Sequence, residues 1–382
     1  MSEFATLQEI VLAAKRKMPP ALWDFVAGGS ESETTLRRNR HALDSLAFCP
    51  RVLRDVARID TATTLLGHGL ALPLVMAPVG SVALVEPGGA LTVARAAARC
   101  GVLTMVSAHA EPGLEAVAAG AGGPLVLTLY VRGDLARVDD QVDRAKAAGC
   151  RAIALVTDAP YYARRERDLM NRFVSPSSRS VPYARLQHLM RQGRALPEGP
   201  ETVNTGMDGA RLTWETVDRI KARAGLPLVL KGIVTAKDAT LAVEHGVDAL
   251  YVSNHGGRQL DHGRATMDVL PEILAAVAGR AEVIVDGGFL RGSDILKAVA
   301  TGARAVGLGK LQCWALAAAG EEGLVRALEI LEEELIVDMG LLGVTALDQL
   351  DPDYLCPVQP LGPAHPLSSF PAVLAHGGSG AS

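Results

Sequence analysis

The sequence of 382 residues lacks the features that mark several special classes of protein. It has no long basic run and a formal net charge of -4, so neither nucleic acid nor an anionic membrane is an expected partner. Its longest apolar runs, such as PLVLTLYV at 124–131, are far too short to span a bilayer. Its first residues, MSEFATLQEI, do not show the charged, apolar and cleavage regions of a signal peptide.

Cysteines are few, and their spacing disfavours the usual cysteine-based sites. Cys49, Cys100, Cys150, Cys313 and Cys356 are odd in number and never form a CxxC pair. Each is expected to be a small buried hydrophobe rather than a disulfide partner, a metal ligand or a nucleophile. We therefore predict no metal site and a location in the reducing cytoplasm.

From residue 73 onward, short apolar runs alternate with Ala-rich helical stretches. Eight such runs occur, at 73–79, 103–107, 124–130, 152–158, 227–233, 248–254, 282–288 and 305–310. Their nearly continuous apolar character is typical of strands that are buried on both faces. Eight strand–helix units predict an α/β fold of the TIM (β/α)8 barrel type, with a doubly wound open sheet as the alternative.

Three segments lie outside this alternation. Residues 4–47 look helical and are predicted to cap one end of the barrel. A polar stretch between Phe173 and Leu212 interrupts the spacing after the fourth unit, which predicts a long loop insertion that acts as a lid. We expect residues 1–356 to form a single domain and the Pro/Gly/Ala-rich tail, 357–382, to be poorly ordered.

Polar residues collect at the ends of the predicted strands, where the chemistry of such barrels takes place. Six of the eight runs end in side chains that can ionise or donate a hydrogen bond: Tyr130, Asp158, Lys231, His255 with Arg258, Asp286 and Lys310. Six such strand ends at one rim favour a functional site over the alternative that these residues are only structural caps. His255 with a nearby carboxylate such as Asp158 is a usual arrangement for a general base, and the fork of Arg258 suits a substrate carboxylate.

The stretch from 282 to 310 indicates a phosphate site. It contains a strand, a Gly-rich turn, a helix and a second strand that ends in Gly-Leu-Gly-Lys. Loops after strands seven and eight, beside a helix N-terminus, commonly bind phosphate in this fold. Arg291 or Lys310 could meet that phosphate. The glycine spacing is not the Rossmann fingerprint.

Five motifs in a fixed order resemble one family. WDFVAGGSESETTLRRNR, RRERDLMNRF, LKGIVTAKDA, SNHGGRQLD and DGGFLRGSDILKA are similar to segments of the FMN-dependent 2-hydroxy acid oxidases and dehydrogenases. This is the group of glycolate oxidase, lactate oxidase and mandelate dehydrogenase, and the hydroxymandelate oxidases are the most similar subgroup. The resemblance implies FMN as cofactor and oxidation of a (S)-2-hydroxy acid, bulky or aromatic such as a mandelate, to the 2-keto acid.

The resemblance also implies a role for each site residue. His255 takes the substrate proton and is oriented by Asp158. Arg165 and Arg258 hold the substrate carboxylate, and Tyr130 bonds the hydroxyl or keto oxygen. Lys231 acts at the flavin, and Phe25 contacts the substrate. The flavin-binding residues implied are Val79, Gly80, Ser107, Thr128, Val156, Lys231, Ser253, Asp286, Gly288, Arg291, Gly309 and Lys310.

Several cofactor positions depart from the family pattern. The family usually has Gln where this chain has Thr128, and Thr where it has Val156. It usually has Arg at the positions of both Leu290 and Lys310. Leu290 removes a charge-assisted phosphate contact worth about 1.5–3 kcal/mol, and Arg291 and Lys310 are expected to compensate in part. Phe25 in place of a Tyr, and Gly80 in place of an Ala, leave room for a large substrate.

Two alternatives remain open at this stage. The protein could be an FMN-barrel enzyme that acts on an atypical biosynthetic intermediate, or a scaffold whose flavin binding is weakened. The electron acceptor is dioxygen or another acceptor, and the resemblance implies a homo-oligomer, in most of the family a tetramer. An intact set of catalytic residues beside the altered cofactor contacts favours the working enzyme.

Overall fold

The structure, a computed structural model, describes residues 4–131, 135–173 and 212–375. Three helices precede the barrel: α1 (Leu7–Lys17), α2 (Pro20–Ala27) and α3 (Thr34–Asp44). A capping box begins α1, because Thr6 Oγ1 accepts the Glu9 N–H while the Glu9 carboxylate accepts the Thr6 N–H. The helical cap predicted for residues 4–47 is confirmed.

A short hairpin that the sequence patterns did not reveal closes one end of the barrel. After strand β1 (Leu46–Phe48), β2 (Thr63–Leu65) and β3 (His68–Leu70) pair antiparallel. Leu65 and Leu70 are buried among side chains from the beginnings of the barrel strands. The hairpin therefore closes the N-terminal end, and the carboxyl ends of the strands are left for the site.

Eight parallel strands form a closed barrel. They are β4 (Leu74–Met76), β5 (Leu103–Ser107), β6 (Leu125–Leu129), β7 (Ala152–Val156), β8 (Leu228–Ile233), β9 (Ala249–Val252), β10 (Glu282–Val285) and β11 (Ala305–Leu308). Each strand pairs with the next, and β11 closes the ring on β4 in the register Val306 to Leu74. Each predicted apolar run contains one of these strands, so the TIM barrel is confirmed and the open sheet is wrong.

Helices cover the outside of the barrel. They are α4 (Gly89–Arg99), α5 (Leu114–Gly120), α6 (Leu135–Ala147), α7 (Glu166–Met170), α8 (Trp214–Ala224), α9 (Ala236–Glu244), α10 (Thr266–Val277), α11 (Gly292–Thr301) and α12 (Lys310–Leu342). The long α12 breaks at Ala319 and Gly320, where the backbone leaves helical geometry. No helix in the described part of the chain is long and apolar enough to cross a membrane. Most of the predicted insertion after the fourth strand, residues 174–211, lies outside the described residues.

Two apolar side chains in the described part of the tail, which extends to residue 375, are buried in the core, and the expected poor order of 357–382 stays a prediction. Strand β12 (Leu355–Pro357) pairs with β1, and α13 (Pro371–Ala375) follows. Phe370 is fully buried, and Val373 is 1% exposed. Because these two apolar side chains find a core site, the Pro/Gly/Ala-rich composition does not prevent folding here. The domain boundary at residue 356 stays a prediction.

A buried ion pair joins α3 to α11 beside the site. Arg40 Nη1 and Nη2 lie 2.6 and 2.8 Å from the carboxylate oxygens of Asp294, and both side chains are 2% exposed. Arg40 also bonds Asp44 and the carbonyl of Gly288. Burial alone would raise the pKa of Asp294, but the charge of Arg40 outweighs burial, and the pKa is lowered. The pair therefore stays ionised and fixes the loop that follows β10.

Asp294→Asn is expected to lower the free energy of unfolding by about 3 kcal/mol, because Arg40 would lose its main buried partner. Urea unfolding measures this loss. Since the folded-state pKa of Asp294 is lowered, its contribution is present above about pH 4 and is lost as pH falls through the folded value. The difference in free energy of unfolding between Asp294→Asn and the unaltered protein should therefore shrink in acid. The exposed pair Arg264–Glu272 offers the control, and Glu272→Gln should cost less than about 1 kcal/mol.

Candidate active site

A cavity of about 540 Å³ opens at the carboxyl ends of the barrel strands. All of the predicted site residues line it except Asp158, Thr128, Ser253 and Arg291. They come from loops after almost every strand and from α2, so residues distant in sequence meet at one rim. The structure therefore brings most of the predicted constellation into a single site.

His255 and Asp158 form a hydrogen-bonded pair at this rim. His255 Nδ1 lies 3.1 Å from Asp158 Oδ1 and 3.2 Å from Oδ2. Burial alone would raise the pKa of Asp158, but the neighbouring charges of His255 and Lys231 outweigh it, and the pKa is lowered. An ionised Asp158 accepts the Nδ1 proton, which leaves Nε2 of the neutral ring as a base. Asp158 lies behind His255 rather than in the cavity wall, as an orienting residue would.

Two glycines allow this pair to be held so tightly. Gly232 in β8 has φ of 110°, and a Cβ there would lie 2.6 Å from the Cβ of Asp158. Gly257 has φ of 75°, and a Cβ there would lie 2.6 Å from backbone atoms of Leu36. Any larger residue would be strained at both positions and would push β8 or α3 away from the site. This explains Gly257, the second of the two glycines after His255.

Lys231 is a buried charge at the centre of the site. Its Nζ donates to Ser253 Oγ at 2.8 Å and lies 3.5 Å from Asp286 Oδ2. Burial alone would lower the pKa of Lys231, but Asp286 and Asp158 outweigh it, and the pKa is raised. Lys231 therefore stays protonated. Ser253, predicted as a cofactor contact, lies behind the wall, where its Oγ accepts from both Lys231 and the His255 backbone N–H.

Two arginines approach each other at the other side of the cavity. Arg165 Nη1 donates to Tyr162 Oη at 3.0 Å, and its Nε donates to the Arg258 carbonyl at 3.4 Å. Arg258 Nη1 donates to the carbonyls of Phe25 and Gly28. Burial and the charge of Arg165 lower the pKa of Arg258 to about 9. Within the described residues neither guanidinium forms an ion pair, so a substrate carboxylate would relieve their repulsion.

The rest of the substrate side is aromatic. Phe25 packs on Phe173 with ring centroids 5.0 Å apart, and the Arg258 guanidinium lies 5.0 Å from the Phe25 ring. The His109 ring lies 5.0 Å from the Tyr130 ring. Tyr161 and Tyr162 also line the cavity, although sequence reasoning did not select them. Their position just after Asp158 at the end of β7 was the available signal.

The predicted flavin side fits a bound cofactor. Val79, Gly80 and Ser107 form one part of the wall. Asp286 Oδ1 is buried with no hydrogen-bond partner among the described residues, so it can accept from a ligand hydroxyl. At Gly309 a Cβ would meet no atom within 4 Å, so a ligand can approach the backbone closely. Thr128 is fully buried behind the wall, and its Oγ1 also has no partner in the described chain.

The phosphate end corrects the sequence interpretation. Arg291 does not line the cavity, because its guanidinium forms an ion pair with Glu334 of α12 at 2.7 Å. Lys310 lines the cavity, but its Nζ donates to the carbonyls of Ala27 and Gly28. Burial and the charge of Arg258 lower the pKa of Lys310. Both predicted cations therefore contact protein groups here, and their compensation for Leu290 stays a prediction.

Leu290→Arg is expected to lower the dissociation constant of FMN by about 10–100-fold, because Leu290 lines the cavity and a guanidinium there adds a charge-assisted phosphate contact. Quenching of flavin fluorescence in titrations of the apoprotein measures the constant. Leu135→Arg, at an exposed position of α6, makes the same change of charge away from the site. Equal FMN affinity in Leu290→Arg and the unaltered protein would mean that the phosphate lies elsewhere.

Fold and site together give a TIM barrel with a His–Asp pair, two arginines without an ion pair among the described residues, and a wall that could hold a flavin at one rim. The family model described as FMN-dependent dehydrogenase matches residues 14–357. The chain belongs to the FMN-dependent dehydrogenase family, whose members carry out FMN-dependent oxidation of 2-hydroxy acids. FMN is therefore its cofactor.

Curated relatives match over nearly their whole length. The chain is 41% identical to 4-hydroxymandelate oxidase of Amycolatopsis orientalis over 343 residues, which is 89% of this chain and 95% of that protein. It is 39% identical to glycolate oxidase 5 of Oryza sativa subsp. japonica over 347 residues, 91% of this chain and 94% of the relative. Both relatives support the interpretation as a hydroxy acid oxidase over the two alternatives.

Solved structures of mandelate oxidase share the fold. A variant with 2-hydroxy-phenylacetamide is 39% identical to this chain and has a TM-score of 0.80. The match covers 94% of this chain and 100% of the mandelate oxidase chain. A second variant, which carries an FMN adduct, is 41% identical with a TM-score of 0.78, over 91% of this chain and 98% of the other. This similarity covers more than nine-tenths of the chain.

Proposed function

We propose that the protein oxidises a bulky or aromatic (S)-2-hydroxy acid, such as a mandelate, to the 2-keto acid. The observation that carries this proposal is the geometry of one cavity. It places the His255–Asp158 pair and the Arg165–Arg258 pair around the same space. An acid with a hydroxyl on its α-carbon offers the two groups that these pairs would bind.

Each side chain has one task in this scheme. The arginines Arg165 and Arg258 bind the carboxylate and fix the α-carbon in the cavity. His255 accepts the proton that the substrate gives up, and Asp158 stabilises the imidazolium that results. Tyr130 bonds the substrate oxygen. Bound FMN would supply the redox chemistry, as acceptor of the two electrons and of the second proton that the substrate loses.

The cofactor would be held from one side of the site. Lys231 brings a buried positive charge to this side, and it would stabilise negative charge on the flavin ring. Asp286 Oδ1 would accept from a hydroxyl of the ribityl chain. Gly288 and Gly309 would let the protein backbone come close to the ribityl chain and the phosphate of FMN. Val79 and Gly80 would face the flavin ring.

The size of the substrate tests this proposal. Phe25, Tyr161 and Tyr162 give the cavity an aromatic side, which favours a phenyl group over hydrogen or methyl. We expect kcat/KM for (S)-mandelate to exceed that for glycolate by at least about tenfold, the discrimination that an apolar pocket gives for a missing group. The rate of keto acid formation measures kcat/KM for each acid, with (R)-mandelate as the control substrate. Preference for glycolate would contradict the proposed substrate class.

The proposed electron acceptor is dioxygen. The oxidases among the relatives support this choice over another acceptor. Aerobic turnover should then release one hydrogen peroxide for each keto acid formed. Turnover that needs an added dye or quinone, with no peroxide, would assign the protein to the dehydrogenases.

The proposed assembly is a homo-oligomer, a tetramer by resemblance to the family, and the proposed location is the cytoplasm. Exposed apolar side chains support an interface, because Val337 and Leu341 of α12 are solvent-exposed together with Val52 and Leu53. The loop that carries Val52 joins the end of α12 through the Arg51 N–H and the Leu342 carbonyl. All five cysteines are free, which suits a reducing compartment. Light scattering of the purified protein tests the tetramer.

A further inference from the structure

The described end of the chain, residues 363–375, forms a segment that we call the C-terminal strap. It lies beyond residue 357, where the match to the family model ends. The strap is fixed to the body of the protein at several points. Phe370 is fully buried, Ser368 Oγ donates to Asp44 Oδ2 at 2.6 Å, and the Ala372 N–H donates to Gln8 Oε1 at 2.8 Å. Contacts on both α1 and α3 therefore hold it in place.

The strap borders the cavity of the active site. His365, Pro366, Leu367, Val373 and Leu374 are part of the lining, opposite Trp23 of α2 and Trp314 of α12. The His365 Nδ1 accepts the Leu367 N–H at 3.0 Å, which leaves Nε2 of the neutral ring as a hydrogen-bond donor. The strap thus offers the cavity a mostly apolar wall with one donor.

The strap adjoins the loop after β10, where the sequence pattern predicts a phosphate. Arg291 directly follows Leu290, and the Arg291 guanidinium lies 6.0 Å from the centre of the Phe370 ring. The same guanidinium is paired with Glu334, so the residue predicted to bind phosphate helps to hold the strap instead. Leu290 itself lines the cavity on this side.

This end of the cavity has few side chains that could bind an anion. Leu290 is neutral, Arg291 is paired with Glu334, and Lys310 donates to the carbonyls at the end of α2. Arg40 also lines the cavity but is paired with Asp294, and Lys15 lies over the Trp23 ring. The backbone at Gly309 and the N-terminus of α12, which bears partial positive charge, offer further donors. Such backbone donors bind phosphate more strongly when water is kept away from them.

We propose that the C-terminal strap is part of the cofactor site and walls its phosphate end, so that FMN is retained through exclusion of water rather than through arginine contacts. The inference rests on FMN as the cofactor and is independent of which hydroxy acid is the substrate. The proposed role of the strap applies to the phosphate monoester of FMN in particular. Riboflavin, which lacks the phosphate, should depend less on the strap than FMN does.

The experiment compares two truncated proteins with the full chain. A chain ended after Pro360 removes the strap, and a chain ended after Ala375 removes only residues 376–382 and serves as the matched control. The dissociation constants of FMN and riboflavin are measured by flavin fluorescence on the apoproteins. We expect strap removal to weaken FMN by at least about tenfold and riboflavin clearly less, with both unchanged in the control.

Equal weakening of FMN and riboflavin would reduce the strap to a general structural support and overturn the proposal, as would unchanged FMN affinity. If the shorter chain does not fold by circular dichroism, amide hydrogen exchange in the full chain decides. FMN should slow exchange across 363–375 more than riboflavin does, and equal slowing would contradict the proposal. Reduction of bound FMN by a hydroxy acid, measured separately, shows whether the catalytic assignment stands regardless of the strap.

Discussion

His255→Ala is expected to slow reduction of the bound flavin by about 10²–10⁴-fold while FMN stays bound. The ring is the group placed to accept the substrate proton, because its Nδ1 is held by Asp158 at 3.1 Å and it lines the cavity. Alanine removes that base and leaves the buried Lys231 and the glycines of the flavin side untouched. Rapid mixing of the oxidised protein with substrate in the absence of dioxygen measures the rate.

A second histidine in the same stretch provides the matched control. The His262 side chain is 66% exposed and interacts with Ser32 and Asp261, away from the cavity lining. His262→Ala should leave the reduction rate unchanged. The FMN content of each variant is read from its absorbance, which separates loss of the base from loss of cofactor. A normal reduction rate in fully loaded His255→Ala would refute the assignment of His255 as the base.

Arg165→Met is expected to raise KM for the hydroxy acid by about 10–100-fold, because a charge-assisted hydrogen bond to the carboxylate is lost. The guanidinium of Arg165 lies 4.6 Å from the Tyr162 ring and donates to its hydroxyl, so it is held at the cavity before substrate arrives. Methionine keeps much of the length of the side chain and removes the charge. Steady-state kinetics over a range of substrate concentrations measure KM.

The primary amide of the same hydroxy acid makes this test specific. It keeps the shape of the substrate but lacks the negative charge, so its KM should change much less in Arg165→Met than that of the acid. Arg172→Met, an exposed arginine shortly after α7, is the control and should behave like the unaltered protein. Equal effects on acid and amide would show that Arg165 shapes the pocket rather than binds the carboxylate.

The barrel and the catalytic pair could be predicted from sequence for one physical reason. Strands buried on both faces are recognisable as apolar runs, and parallel strands place their carboxyl ends at one rim. Asp158 and His255 are 97 positions apart, yet both follow such runs. Their meeting follows from the fold, so the residue types at the strand ends were sufficient to predict the site.

The partners of Arg291 and Lys310 could not be predicted in this way. Glu334 reaches Arg291 from the middle of α12, and the carbonyls that hold Lys310 come from α2 near the start of the chain. No periodic pattern encodes which of several possible acceptors a long flexible cation will bind. The burial of Phe370 in the tail could not be predicted from composition for a similar reason.

The most direct test of the central claim is the visible spectrum of the protein loaded with FMN, before and after anaerobic addition of (S)-mandelate. The account predicts that the flavin absorption band appears on loading and is bleached by the acid. Lactate and glycolate should bleach it more slowly, and admission of air should restore it. A loaded flavin that no 2-hydroxy acid bleaches would contradict the account, and so would a folded apoprotein that binds no FMN.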